Sequence, residues 1–316
     1  MALSKILPAS QDQFAGARNL IINGAMQVAQ RGQSFTAQGY SLDRWYHQLS
    51  GGTSTTTQET FALGSEVAGC SKYLKQATSA GDNYCGLVYK VEDVKSLPEG
   101  KATFSFYAKG TNPAGGSYTV RLDRISRVSP YESSTGPLIS TVTLTSSWQR
   151  FVFTFDVPSF SGLGTIDNTS HLYISIHQPD GDTSTAGWEL NLTGVQLEVG
   201  ETATPFEHRS YGDELARCQR YFELLGHAVS SGGDGYSFMS VSLNGNAANQ
   251  WLDVGFKVEK RAAPSSIDSF NSYTVPSPTA TGIGVNGFTL YKGSQMIFIK
   301  SGGSNGDAVA SVSAEL

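Results

Sequence analysis

GVQLEVGETATPFEHRSYGDELARCQRYFELL, from Gly194 to Leu225, carries two periods in succession. Val195, Leu197 and Val199 alternate with Gln196 and Glu198, the period of two that a half-buried strand requires. Pro205 stops that pairing. Ser210 and Asp213 suit the N-cap of a helix, and Asp213 and Glu214 place negative charge in its first turn. Leu215, Cys218, Phe222 and Leu225 then recur at spacings of three, four and three, an apolar seam on one helix face. About four turns of helix do not sustain themselves in water. The seam is therefore expected to bury against its own domain or against the same helix in sister copies. This places a linking helix at 209–228.

Upstream, the signals are all β. Trp188, Leu190 and Leu192 are in phase with one another and one residue out of phase with Val195, Leu197 and Val199. A β-bulge at Thr193-Gly194 accounts for the slip. Phe104, Phe106 and Ala108 share one strand face; Phe151, Phe153, Phe155 and Val157 share another; Leu172, Ile174 and Ile176 make a third. About ten such strands predict two sheets packed face to face, a β-sandwich or jelly roll over 18–208. Residues 1–17 read as an arm. Downstream, Leu252, Val254, Phe256 and Val258 alternate with polar residues, and a hairpin is expected around Lys292-Gly293-Ser294. The fold class expected is all-β: an N-terminal sandwich, one short linking helix and a small β tip domain at 229–316.

Composition narrows the function. The 316 residues carry 35 Gly and only 16% charged residues, the balance of a turn-rich β chain. A net charge of -5 opposes nucleic-acid binding, which needs a basic face. No apolar run reaches the length of a membrane span, and the N-terminus does not read as a signal peptide. Cys70, Cys85 and Cys218 lack metal-type spacing and fit buried free thiols from a reducing cytosol. No cofactor and no metal site is expected. Gly282 to Gly287 matches GxGxxG but precedes a strand instead of opening a helix, so it reads as a turn. Asp180-Gly181-Asp182 lacks the later ligands of a calcium loop. His171 and His177 flank a strand, where a surface place is the default. No nucleophile motif appears, and the chain is not expected to be an enzyme.

Four stretches resemble bacteriophage tail-fibre and receptor-binding virion proteins: Gly16 to Gly32 (GARNLIINGAMQVAQRG), Gly39 to Trp45 (GYSLDRW), Thr145 to Asp156 (TSSWQRFVFTFD) and Val195 to Phe222. The resemblance implies a jelly roll similar to carbohydrate-binding modules, a linking helix and a β tip, assembled as a homotrimer in a virion. The arm at 1–17 would dock on other virion proteins, and the partner would be a host surface glycan or protein. Jelly rolls of that kind often hold a structural calcium; the corresponding positions here, Gln27 and Thr193-Gly194, are poor ligands. The sandwich's candidates for stacking on sugar are Tyr84, Tyr89, Tyr107 and Trp188, although core packing is the commoner role for each. The tip's candidates for receptor contact are Tyr236, Trp251, Tyr273 and Phe288, set among Gly, Ser and Asn. Two other duties stay open: a structural virion protein, such as a capsid-mounted fibre or tail adaptor, and a glycan depolymerase. The latter usually needs a longer repetitive scaffold, and no internal repeat is present.

Overall fold

The computed structural model describes residues 18–80, 84–113, 116–126, 132–133, 138–160, 163, 165–167, 169–179, 187–225, 237–242, 250–264, 267–268, 279–281, 283–292, 296–300 and 310–315. The expected arm at 1–17 and the Asp180-Gly181-Asp182 loop lie outside them. The chain divides into two compact units, one running to Tyr211 and one from Gly212 to Glu315. No helix among the described residues is long and apolar enough to cross a membrane.

In the first unit the strands are β1 (Ser34–Phe35), β2 (Gly39–Tyr40), β3 (Trp45–Leu49), β4 (Thr53–Thr60), β5 (Lys72–Ala80), β6 (Cys85–Glu92), β7 (Gly100–Thr111), β8 (Tyr118–Ser126), β9 (Glu132–Ser133), β10 (Leu138–Val142), β11 (Gln149–Val157), β12 (His171–His177) and β13 (Glu189–Val199). Two sheets result. One runs β1-β4-β5-β13-β7-β11; the other runs β10-β8-β12-β6-β3-β2, with β9 on β8. Consecutive long strands β5 to β8 alternate between the sheets, the jelly-roll plan. The in-phase sets pack between the sheets: Phe104, Phe106, Leu172, Ile174, Ile176, Leu190, Leu192 and Leu197 are all at most 2% exposed. All three cysteines are free and buried.

The slip in β13 is a bulge. Its register against β7 shifts between Thr193 and Gln196, and Gly194 takes φ +58°. A Cβ there would stand 3.0 Å from the Tyr107 ring, so Gly satisfies both backbone and space. Beyond the bulge, β13 takes up the N-terminal segment. Val195 N donates to Gly24 O at 3.0 Å, Leu20 N to Leu197 O at 3.0 Å, and Asn19 Nδ2 to Val195 O at 3.0 Å. Asn23 bridges the Val28 and Asp43 carbonyls, Trp45 Nε1 donates to Asn23 O, and Arg209 donates to Ile21 O at 3.0 Å. Glu207 accepts from Asn19 N at 2.6 Å. Three of the stretches behind the family resemblance thus meet in one largely buried polar knot. Their chemistry there is structural.

The second unit contains α1 (Tyr211–Gln219) and strands β14 (Phe222–Leu225), β15 (Ser237–Ser242), β16 (Gln250–Gly255), β17 (Ile267–Asp268), β18 (Thr279–Thr281), β19 (Gly287–Lys292), β20 (Met296–Lys300) and β21 (Ala310–Ser313). They pair as β14-β21-β17, β15-β20 and β16-β19-β18. The linking helix expected over 209–228 is corrected here. α1 stops at Gln219, Arg220 and Tyr221 turn, and Phe222 and Leu225 stand in β14, opposite Ser313 and Ala310. Only Leu215 and Cys218 of the four seam residues are helical. The aromatic and branched residues after Gln219 gain more from pairing with β21 than from another helical turn. Cys218 and Phe222 are 0% and 7% exposed within a single chain, so a sister copy is not needed to cover them. Beneath the helix end, Lys260 Nζ donates to Gln219 O (2.7 Å), Val258 O (2.9 Å) and Glu223 Oε2 (2.6 Å), with both charged side chains fully buried. The GxGxxG stretch is a turn into β19, closed by Gly284 N donating to Gly287 O.

Candidate functional site

Alternation along each strand separates the core face of the β10-to-β2 sheet from its outward face. Leu87, Tyr89 and Val91 of β6 and Leu172, Ile174 and Ile176 of β12 point to the core. The intervening residues therefore share the other face. Across the strands, Tyr46 aligns with Val88, Ser175 and Arg121; Gln48 aligns with Gly86, His177 and Thr119; Lys90 aligns with Tyr173 and Asp123. Val88, Ser175 and His177 are only 1–2% exposed although they are turned away from the core. They form a floor. Tyr46, Gln48, Tyr84, Lys90, Arg121, Asp123 and Tyr173 stand half-buried around it.

The wall groups are held in place by one another. Tyr173 Oη donates to Gln48 Oε1 at 2.8 Å. Tyr84 stacks on His177, with ring centroids 4.5 Å apart and planes 27° apart. Tyr46 packs edge-on against Tyr40 at 5.2 Å, accepts from Gln38 Nε2, and lies under the Lys90 ammonium at 6.0 Å. Burial, followed by the neighbouring Tyr84, Asp123 and Tyr46, holds the Tyr173 phenol well above the usual tyrosine range, so it stays a protonated donor. Arg121 has a buried Nε without a hydrogen-bond partner among the described residues. A buried orphan donor of this kind costs stability unless something supplies an acceptor. Phenols, an amide, a guanidinium and a carboxylate around aromatic rings make a donor-and-acceptor set suited to a polyhydroxylated ligand. Among the described residues no group of three His, Cys, Asp or Glu could hold a metal ion.

Of the stacking candidates, Tyr84 alone belongs to this face. Tyr89 is corrected to the core: it is 1% exposed, packs against Trp45 at 5.1 Å and accepts from Ile22 N. Trp188 is also core, 2% exposed and edge-on to Tyr118 at 4.8 Å. Neither offers a ring face to a sugar. Tyr107 lies on the outward face of the opposite sheet, beneath the Arg150 guanidinium at 5.9 Å. Trp251 and Phe288 occupy β16 and β19, aligned with Tyr291 and Val254; Tyr236 and Tyr273 lie outside the described residues. His171 and His177, expected at the surface, are buried: His171 Nδ1 bonds Thr169 O, and His177 sits under Tyr84. Tyr46, Arg121, Asp123 and Tyr173 were not singled out from sequence. Their signal was parity, since each is out of phase with the apolar residues of its own strand.

No protein-family model and no curated protein matches the chain. Among solved structures, it is similar to the enzymatically active domain of tailspike protein 4 from bacteriophage CBA120, at 11% identity and a TM-score of 0.40 over 58% of this chain; the match spans 22% of that chain. It is similar also to the CBM22-2 xylan-binding domain of Xyn10C from Paenibacillus barcinonensis, at 16% identity and 0.36, covering 52% of this chain and 99% of the other. A third is a putative sugar binding protein from Bacteroides thetaiotaomicron, at 14% identity and 0.36, covering 58% and 100%. By its strand order, the first unit is a jelly-roll β-sandwich, and the chain is a nearly all-β protein with one short helix among its described residues.

Proposed function

We propose that this chain is a bacteriophage virion fibre protein whose sandwich binds a host surface glycan without cleaving it. The observation that carries the binding is the walled face of Tyr46, Tyr84, Tyr173, Asp123 and Arg121, half-buried around a sunken floor. The virion role rests on the four stretches of phage-fibre resemblance, and with it goes assembly as a homotrimer docked on the particle through its N-terminus. Three copies would let individually weak sugar contacts add up on a repetitive cell surface. The helical seam no longer contributes to that assembly.

Native affinity electrophoresis through gels containing bacterial capsular and O-chain polysaccharides tests the reading. Arg121→Gln and Tyr173→Phe are expected to lose retention about ten- to a hundred-fold, the effect of removing one strong hydrogen bond from a buried polar contact. Thermal melting of both variants should stay near that of the parent chain. Unchanged retention in both variants, or no retention of the parent, leaves only the structural virion duty. Release of reducing ends from any polysaccharide would make the chain a depolymerase.

A further inference from the structure

We infer that the outward face of the β1-to-β11 sheet is a second saccharide site, and that it takes a sugar bearing a carboxylate. Phe61, Tyr73 and Trp148 form a three-ring cluster there. Their centroids are 4.8 Å (Phe61–Tyr73), 5.2 Å (Phe61–Trp148) and 5.4 Å (Tyr73–Trp148) apart. Trp148 precedes β11, yet it touches Tyr73 on β5, so its indole lies across the intervening β7 and β13. All three rings are half-buried on a face turned away from the core. The ring planes meet at 45° to 81°, which makes a corner that grips one chain rather than a flat platform for a crystalline surface. Leu63, in the loop that follows Phe61, is 98% exposed.

The charges beside the rings choose the ligand. Two carboxylates, Glu59 and Glu189, and two ammoniums, Lys75 and Lys109, act on this face. Glu189 is matched directly, with Lys75 Nζ 3.0 Å from it and Asn191 Nδ2 donating to it at 2.8 Å. The Lys109 ammonium lies 5.4 Å from the Trp148 centroid and makes no salt bridge among the described residues. It is a cation held at the edge of a stacking surface, where a carboxylate on a stacked pyranose would complete both a cation–π and an ion-pair contact. A neutral sugar would leave that ammonium with only its longer-range attraction to Glu189 and no direct ion pair among the described residues. The chain as a whole carries a net charge of -5, so general electrostatics would not draw an acidic glycan; a local cation would.

The test is isothermal titration of the full chain with oligogalacturonate, hyaluronan oligosaccharides and oligosialate, against neutral cello-oligosaccharides. The expected result is binding of at least one acidic probe, weakened several-fold between low and physiological salt. Trp148→Ala and Lys109→Gln should each lower its affinity about ten-fold or more. Lys109→Gln keeps the three rings, so it separates lost binding from lost folding. Binding of no acidic probe, equal binding of neutral probes, or indifference to both variants overturns the inference. So does a concentration-dependent oligomer that Trp148→Ala abolishes, which would make the cluster a contact between copies. Loss of polysaccharide retention by Arg121→Gln concerns the first site alone, so the two readings fail separately.

Discussion

Replacing Lys260 by Met should strip the second unit of its one fully buried ion pair among the described residues. Lys260 and Glu223 are both 0% exposed and 2.6 Å apart. Burial pulls the lysine's pKa below its ordinary value, against the opposing pull of Glu223, so the ammonium there depends on its carboxylate. Removing one partner of such a pair typically costs about 3–5 kcal/mol, because the survivor is left charged and dry. Two groups soften that cost. Lys257 N donates to both Glu223 oxygens at 3.2 Å, and Lys257 Nζ lies 3.9 Å away with its side chain 62% exposed. The Gln219 carbonyl at the end of α1 also loses its donor, worth about 1 kcal/mol. The net expectation is a loss of about 3–4 kcal/mol, or an opening equilibrium raised about a hundred- to a thousand-fold. Hydrogen exchange read by mass spectrometry resolves it, since peptides from β14 and β16 report the second unit while peptides from β7 and β13 serve as an internal control. Met at 260 combined with Leu at 223 should recover most of the loss, as apolar replacement of a buried pair commonly does. If the single change costs under about 1 kcal/mol, or the double change costs as much as the single, the pair is not what holds this unit's base.

Two further perturbations probe the sandwich. At Gly24 an added Cβ would stand 2.2 Å from Val195 O, so Gly24→Ala must push the N-terminal segment off β13 and should cost about 1–3 kcal/mol by chemical denaturation; a neutral result would mean that the knot is not formed in solution. His47 is 0% exposed, and burial lowers its pKa from 6.5 to about 4, partly offset by the nearby Ala37 backbone. The folded chain keeps this ring neutral while the unfolded chain protonates it. Stability from this source is therefore full above pH 6.5 and drains as pH falls toward about 4, reaching on the order of 3 kcal/mol. His47→Leu should flatten that part of the stability profile, and an unchanged slope would show that the acid sensitivity resides in other groups.

Periodicity made the sandwich legible. The phase of Phe104, Phe151, Leu172 and Leu190 fixed which side of each strand faces the core, and the slip at Thr193-Gly194 marked the bulge because a single residue inverts parity. The helix was half legible. Its start carries N-cap and acidic signals, but Phe222 and Leu225 fit a helical spacing and a strand equally well, and the strand Ala310–Ser313 that decides between them lies far along the chain. The candidate site was the least legible. Tyr89 and Tyr84 look alike in sequence, yet one lies in phase with Leu87 and Val91 and is core, while the other precedes β6 and lies over His177. Burial of Val88, Ser175 and His177 on an outward face is a property of the assembled sheet, set by taller neighbours from four strands, and no single segment encodes it.

The two faces differ in a way that follows from what each sheet does with its outward residues. On one, polar side chains surround a sunken floor and bond to each other, which fixes their geometry before a ligand arrives and suits recognition by hydroxyl pattern. On the other, rings from β5, the end of β4 and the start of β11 cross several strands, which suits contact by area with a single charge for direction. The sheets of a sandwich lie about 10 Å apart, and the side chains of both faces point away from one another. One short oligosaccharide therefore cannot occupy both surfaces of one copy. If both proposed sites take glycan, they do so on two opposed sides of one sandwich, which would serve a subunit standing within a polysaccharide layer better than one that meets a surface on a single face.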